Sequence, residues 1–371
     1  MTEISLPEDW KHRENTKIIS ADLGFIKKLN FNIYDKVLIL SSPIHLKNGV
    51  IPKLVGELAL QSSKIICDIA PNPTATEVIR IISECQPQKW DALIAIGGGS
   101  VIDTAKIVSM FCNRAGLPTH LDLFSPKFEF ENTRTCKLIV VPTTAGTGSE
   151  VTQFATIWDD IAKRKHSFLS SYMCPDLAIL DPALLELLPF DLALYSCLDA
   201  TAHCMETLWN KNRTFESEES AKSGLQIIEK NLFAFNKRIW NKEIAGQLQV
   251  AAVYGGLAIS ISRTAISHSI SYPLTSRLGI PHGLAVGFTL AAIYESLDGE
   301  ELKFVEAQFS MAEIVIRLKN LDLLHHIQRY ANTSQILNLV DEMSISDRGK
   351  NFIKPINREF IISILEKSLQ N

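Results

Sequence analysis

The stretch DALIAIGGGSVIDTAKIVSMF, residues 91–111, runs from a β-branched apolar segment through three consecutive glycines straight into a helix-forming one. A short apolar run of this kind reads as a strand buried on both faces. The same signal recurs in KVLILSS (36–42), KIICDI (64–69), KLIVV (137–141) and LAILD (177–181). Helix-like segments lie between the first four, near 50–61, 75–85 and 101–113. Strands alternating with helices dictate parallel pairing with right-handed crossovers, the α/β class. FATIWDD and KRKHSFLS, within 154–170, read as an inserted hairpin turning at Asp159 and Asp160. After DPALLELLP the pattern changes, and from about residue 190 helical periodicity replaces strand signals. The expected architecture is therefore α/β plus all-α: a parallel-sheet domain over 1–183, then a helical domain over 184–371.

A chain of 371 residues exceeds a typical single core, in keeping with two domains. Net charge is −4 with no basic stripe, which argues against nucleic acid as the main partner. The longest uncharged stretches, 247–262 and 264–276, fall short of the roughly 20 apolar residues of a membrane span. The first fifteen residues are charged and carry no apolar signal core, so secretion is not expected. Seven cysteines, an odd number without C-x-x-C, read as reduced thiols, and a cytoplasmic location is expected.

Two loops carry ligand chemistry. Gly97, Gly98 and Gly99 let the backbone approach a ligand, and the helix that follows, with Ser100 as its expected cap, presents free N–H groups to a phosphate. The spacing is not G-x-G-x-x-G, so the standard dinucleotide fingerprint is absent. A second loop, PTTAGTGSE (142–150), also follows a strand. Two such loops at the C-terminal ends of strands point to one crevice, where open α/β sheets bind ligands.

GGGSVIDTAK, PTTAGTGSEVT, DPALLELLP, DATAHCMET and HSISYPLTSRLGIPHG, in this order over residues 35–290, resemble the iron-dependent (group III) alcohol dehydrogenases. The resemblance implies a dehydroquinate synthase-like fold, with an N-terminal dinucleotide-binding domain, a C-terminal helical metal-binding domain and a divalent metal in the cleft between them. Asp199 and His203, four apart, leave one face of a helix. His268 and His282 are fourteen apart, with Pro273 and Pro281 fixing the path between them. Three imidazoles and one carboxylate suit Fe²⁺ or Zn²⁺. Taken singly, Asp199 reads as a helix cap and His203 as a satisfied helical histidine. The family's spacing, D-x3-H then H-x13-H, implies that all four are ligands and act catalytically through the metal. His12, His45, His120, His166, His325 and His326 lack such partners and read as ordinary residues. Cys204 and Met205 read as packing.

The resemblance further implies that Gly97, Gly98, Gly99 and Ser100 hold the pyrophosphate of NADH or NADPH, that Thr143, Thr144, Thr147 and Ser149 line the cofactor channel, and that Lys165 contacts a ribose. Asp103 is expected to steady the turn or the cofactor. Ser42 stands where NAD-specific members carry an acid; with Lys47 near, NADPH is expected to be accepted. Tyr272 replaces a histidine found in many members, and a phenol of pKa about 10 does not replace an imidazole relay at neutral pH. Water or the ribose hydroxyl would then carry the proton.

Arg263 stands five residues before His268, where ordinary members have glycine or another small residue. Burying it calls for an anion, either an internal carboxylate or a substrate. The stretch from Arg263 onward resembles the branch of the family that reduces phosphonoacetaldehyde, with Thr264 and Arg277 assisting, Phe154 walling the pocket and Tyr272 beside it. The expected partners are a small anionic aldehyde or alcohol and a second copy of the chain, a homo-oligomer (dimer), without nucleic acid or membrane. Rival readings are a dehydrogenase of neutral alcohols or diols of the lactaldehyde/1,2-propanediol type, a glycerol dehydrogenase, a dehydroquinate synthase-like lyase, and a non-catalytic dinucleotide sensor.

Overall fold

The computed structural model describes residues 2–3, 16–28, 36–58, 62–86, 88–124, 134–162, 164–344 and 347–370. The charged segment 4–15 and Lys163 of the expected hairpin lie outside the described residues. The chain divides into two compact units: Met1–Thr144 with Ser149–Leu184, and Leu185–Asn371 with the short segment Ala145–Gly148. Part of the second glycine loop therefore belongs with the helical unit.

The first unit is built on a seven-stranded sheet. In chain order the strands are β1 (Thr2–Glu3), β2 (Lys17–Ser20), β3 (Lys36–Ser41), β4 (Ser62–Ile66), β5 (Ala92–Gly97), β6 (Lys137–Pro142) and, after the hairpin β7–β8, β9 (Leu177–Leu180). The spatial order is β1-β2-β9-β6-β5-β3-β4, and every pairing but β1–β2 is parallel. Val37–Leu40 and Ala92–Ile96 are wholly buried, as strands covered on both faces must be. Strands β1 and β2 escaped the sequence reading because KIIS holds only two apolar residues. The expected strand 64–69 is shifted to 62–66, after which Ala70 N donates to Glu77 Oε1. The intervening helices are α1 (Pro43–Lys47), α2 (Val50–Leu58), α3 (Ala75–Cys85), α4 (Gly99–Phe111) and α5 (His120–Phe124). Strands β7 (Phe154–Asp159) and β8 (Arg164–Leu169) form a separate antiparallel hairpin. Asp159 Oδ1 accepts from the N–H groups of Ile161 and Ala162, closing its turn.

Register brings the ligand-type loops together. Ser41 lies opposite Ile96, and Gly97 opposite Pro142, so β3, β5 and β6 end level. Thr143 N donates to Gly97 O, and the Thr144 side chain sits where a Cβ on Gly98 would approach it to 3.2 Å. Helix α4 starts at Gly99, with Gly98 as its N-cap and no side-chain cap. Ser100 is therefore not the cap; its hydroxyl accepts from Asn72 N.

After α6 (Pro182–Glu186), the helical unit contains α7 (Phe190–Leu208), α8 (Phe215–Asn236), α9 (Lys242–Ser262), α10 (Ile266–Leu278) and α11 (His282–Gly287), with shorter helices to Arg358–Ser368. Thr214 and Ser217 form a capping box at α8, and Asn241 caps α9. Among the described residues one helix, α9, passes by length and composition alone as long and apolar enough to cross a membrane, and two-thirds of its most apolar window is buried. Gly148, at φ +61°, lies against α9, where a Cβ would fall 2.4 Å from Gly256 Cα. Only glycine permits both that dihedral and that approach.

Candidate metal centre

Helix α7 is buried along Ala193–Leu208, so its polar residues need internal partners. Asp199 and His203 stand one turn apart on it. The Nε2 atoms of His203, His268 and His282 lie 3.6, 3.5 and 3.8 Å from one oxygen, Asp199 Oδ1. The ligating atoms of Asp199, His268 and His282 fall within 4.8 Å of one another. His203 joins through its distance to Asp199 and by stacking on His268, with ring centroids 5.0 Å apart. All four residues named from the sequence are thus together.

Two helix starts deliver the later histidines. His268 sits in the first turn of α10, and the segment bracketed by the two histidines is mostly helix despite Pro273. His282 opens α11 after Pro281. The next residue, Gly283, presses α11 on α7 so closely that a Cβ would sit 1.9 Å from Tyr195 O. This contact sets how near His282 comes to Asp199.

Glu206, one turn beyond His203 and fully buried, went unremarked in the sequence. Its Oε1 accepts from Ser267 N (2.6 Å), Ser267 Oγ (2.6 Å) and His268 N (3.2 Å). Its Oε2 accepts from Ala265 N (2.8 Å) and faces His268 Nδ1 at 2.7 Å. One carboxylate thereby caps α10, which has no side-chain cap of its own, and turns the His268 ring so that Nε2 points at Asp199. The signal that could have found it is the H-x-x-E spacing on a buried helix.

Electrostatics follow from this crowding. Burial alone would raise Asp199, but the surrounding imidazoles hold its carboxyl well below the usual range. Burial likewise opposes ionisation of Glu206, yet His268 and the N–H donors keep it low. Burial brings His203 down to about 4, whereas Glu206 and Asp199 outweigh burial and push His268 up to about 10. Asp199 Oδ1 and His268 Nε2 are buried without a hydrogen-bond partner among the described residues. Buried orphan acceptors are rare. An orphaned anionic oxygen and an orphaned imidazole nitrogen, with the Nε2 atoms of His203 and His282 converging on the same oxygen, fit a divalent cation such as Fe²⁺ or Zn²⁺.

Family models match both halves of the chain: iron-containing alcohol dehydrogenase over residues 19–182, and the C-terminal region of the Fe-containing alcohol dehydrogenase family over 193–364. The chain belongs to the iron-containing alcohol dehydrogenases. It is 32% identical over 247 residues to the phosphonoacetaldehyde reductase of Streptomyces viridochromogenes, covering 65% of this chain and 62% of that one. It is 30% identical over 229 residues to the 1-propanol dehydrogenase of Citrobacter freundii, covering 62% and 58%. The matches thus span about three-fifths of these relatives' length. In fold it resembles the crystal structure of sulfoacetaldehyde reductase from Bifidobacterium kashiwanohense in complex with NAD⁺, with a TM-score of 0.82 at 22% identity over 96% of this chain and 97% of that one.

The other residues expected from this family are distributed as follows. Asp103 holds structure together: Oδ1 accepts from Ser149 Oγ at 2.5 Å and Oδ2 from Thr156 N at 2.9 Å. Burial raises the Asp103 carboxyl above its usual range, against the pull of Lys106, these two donors and Lys165 on β8. Thr143 Oγ1 lies 3.2 Å from Nε2 of His45, a buried histidine that burial keeps low and that the sequence reading passed over as ordinary. Ser42 is the N-cap of α1, with no cap bond from its side chain. Thr147 groups with the helical unit, and Phe154 opens β7, its carbonyl accepting from Lys106. Tyr272 stacks on His282 with centroids 6.3 Å apart. Thr264 is buried, and its hydroxyl has no hydrogen-bond partner among the described residues. Arg277 departs from expectation: it is half exposed and its Nε pairs with Glu342 at 3.0 Å, at the far end of α10 from His268.

Proposed function

We propose that this protein is a metal-dependent, NAD(P)H-linked reductase of a small anionic aldehyde, phosphonoacetaldehyde first, interconverting it with 2-hydroxyethylphosphonate. The observation that carries the reading is Arg263. It terminates α9 at φ +66°, ψ 169°, a conformation that costs a non-glycine residue about 1–3 kcal/mol. Asn210 Nδ2 and Ser262 Oγ both donate to its carbonyl and hold it there. A side chain retained at a position that favours glycine, two residues before the segment nailed down by Glu206, calls for a function of its guanidinium. A guanidinium fork suits phosphonate oxygens.

Asp199, His203, His268 and His282 would hold the divalent ion, which supplies Lewis-acid polarisation of the aldehyde oxygen. A nicotinamide cofactor supplies the hydride. The uncapped N-terminus of α4, with Gly97, Gly98, Gly99 and Ser100, would take the pyrophosphate, and Thr143, Thr144, Thr147, Ser149 and Lys165 would contact the rest. Glu206 keeps the His268 ring in place, and the Thr264 hydroxyl is available to an oxygen of the bound head group. NADPH is accepted because Ser42 carries no charge to repel a 2′-phosphate. Seven free thiols suit a cytoplasmic setting, and a homodimer is the assembly we propose.

The test compares kcat/KM for phosphonoacetaldehyde, acetaldehyde and propanal, with NADH and NADPH, in the wild type and Arg263→Ala. The wild type is expected to prefer the phosphonate and the variant to lose that preference. Preference for neutral aldehydes in the wild type would instead support the second reading, a primary-alcohol dehydrogenase, favoured by the 30% identity to a 1-propanol dehydrogenase.

A further inference from the structure

The cysteine thiols are not equally placed. Burial pushes Cys85 and Cys197 up to about 12 and raises Cys204 as well, which keeps these thiols protonated and unreactive. Cys112 and Cys136 differ: within the sheet unit their sulfurs face each other at 3.5 Å. Cys112 is the C-cap of α4, and its N–H donates to Val108 O at 2.9 Å. Cys136 directly precedes β6. Bonds that do not involve the thiols hold the two segments side by side. Thr135 N and Thr135 Oγ1 both donate to Ser109 O in the last turn of α4, at 3.0 and 2.7 Å. Asn113 Nδ2 donates to Thr135 O at 2.8 Å and to Trp90 O at 2.7 Å. Arg134 pairs with Asp176 at 2.7 Å. Cys112 is buried and Cys136 half-buried, so a small solute reaches the pair through Cys136.

We propose that Cys112 and Cys136 are a redox-active pair that closes reversibly into a disulfide and staples the C-terminal end of α4 to the start of β6. Bonded sulfurs stand at about 2.05 Å, so the two must approach by about 1.5 Å. Side-chain torsions supply a movement of that size while the Thr135 and Asn113 bonds keep the backbone in place. The neighbouring Cys136 thiol favours the anion on Cys112, the reactive form of a thiol. The oxidant is a peroxide. One thiolate attacks a peroxide oxygen, the O–O bond breaks, hydroxide leaves and a sulfenic acid forms. The other thiolate attacks that sulfur, the S–S bond forms and a second hydroxide leaves. Two cysteines are oxidised, and with the two thiol protons the peroxide ends as water. The cysteines are 24 positions apart, so the bond restrains the unfolded chain and the oxidised form is the more stable. Helix α4 puts its thirteen residues, about 20 Å, between the staple and Gly98, so the glycine loop is not part of it.

The experiment treats the folded protein with a small excess of hydrogen peroxide and blocks the remaining thiols. Linked peptides are mapped by mass spectrometry, and thermal melting is recorded before and after dithiothreitol. The wild type is expected to give a linkage between Cys112 and Cys136 and to melt roughly 5 °C higher once oxidised, as a disulfide closing such a loop should. Dithiothreitol should reverse both changes. Cys112→Ser and Cys136→Ser should show neither, in a Cys67→Ser background that removes another half-buried thiol. Cys136→Ser, altering the more exposed member, keeps the comparison available if Cys112→Ser does not fold. Sulfinic or sulfonic acid at Cys136 without a linkage, or Cys112 linked to Cys85 instead, overturns the pair. An oxidised wild type that melts no higher than the reduced one overturns the staple.

Discussion

The two units each bury a cluster of charges, and the clusters differ in how completely they are satisfied. In the sheet unit, Lys106 is fully buried, and its ammonium donates to Thr152 O (2.9 Å), Thr152 Oγ1 (3.0 Å) and Phe154 O (2.6 Å), with Asp103 Oδ1 at 4.0 Å. Asp103 in turn receives Ser149 and Thr156. Nothing in that cluster is left over: it fastens the second glycine loop and β7 to α4. In the helical unit, Glu206 is just as completely used, but Asp199 Oδ1 and His268 Nε2 are not. Buried polar groups without partners are costly, so a fold that assembles them around one point is organised for something that binds there. The closed cluster holds shape, and the open one is the candidate metal centre.

The sharpest way to break this contrast is His268→Ala. Loss of one donor from the open cluster should lower both metal content and turnover, the latter roughly 1000-fold or more, because a bound ion supplies several kcal/mol of charge stabilisation. Metal analysis alongside a turnover assay checks it; full activity in this variant, or in chelator-stripped protein, sinks the proposed centre. Lys106→Met attacks the closed cluster. Leaving Asp103 without its cation and two carbonyls without their donor should cost about 3–5 kcal/mol in denaturant unfolding. The folded fraction should bind metal as the wild type does. A stability loss below 1 kcal/mol would show the cluster to be ornamental.

Glu150, buried next to this cluster, tests the contrast through pH. Burial outweighs the attraction of Lys106 and raises its carboxyl to about 7. Because the folded pKa lies above the unfolded one, the folded state holds the proton more tightly between about pH 4.5 and 7. The stabilising contribution is then whole below 4.5 and is lost as pH rises towards 7. Glu150→Gln lacks this loss, so its stability relative to wild type should grow by about 3 kcal/mol over that interval and stay level above it. A pH-independent difference refutes the buried, protonated acid. The smallest effect is expected from Glu206→Gln, which keeps the shape but replaces one acceptor by a donor facing the N–H groups of α10. Metal affinity should fall roughly 10- to 100-fold, with the fold retained. Unchanged affinity would mean that the His268 ring is oriented by packing alone.

Much of the site was legible because it is local. The pair Asp199 and His203 needs only the 3.6-residue turn, and the glycine loop needs only a strand followed by a helix. The α/β-then-helical order was legible from the change in hydrophobic period near residue 190. Glu206 was harder to see, since its spacing suits any buried helix and its five partners come from a segment about sixty residues away. Ser100 was misread as a cap because a serine after glycines looks like one. The pairing of Arg277 with Glu342 could not be read, because it joins residues 65 apart.

By itself the sequence determined which residues have ligand chemistry and on which kinds of element they stand, because propensity, period and turn chemistry act over a few residues. Only the tertiary structure decided which of them meet. His268 and His282 reach Asp199 because Glu206 caps α10 from another helix and Gly283 lets α11 close on the carbonyl of Tyr195. The turn Asp347–Asn351 reaches the end of α9 because asparagines at 210, 212 and 351 knit distant turns together. Desolvation and hydrogen-bond satisfaction depend on everything packed around a group, and no local stretch of sequence specifies that.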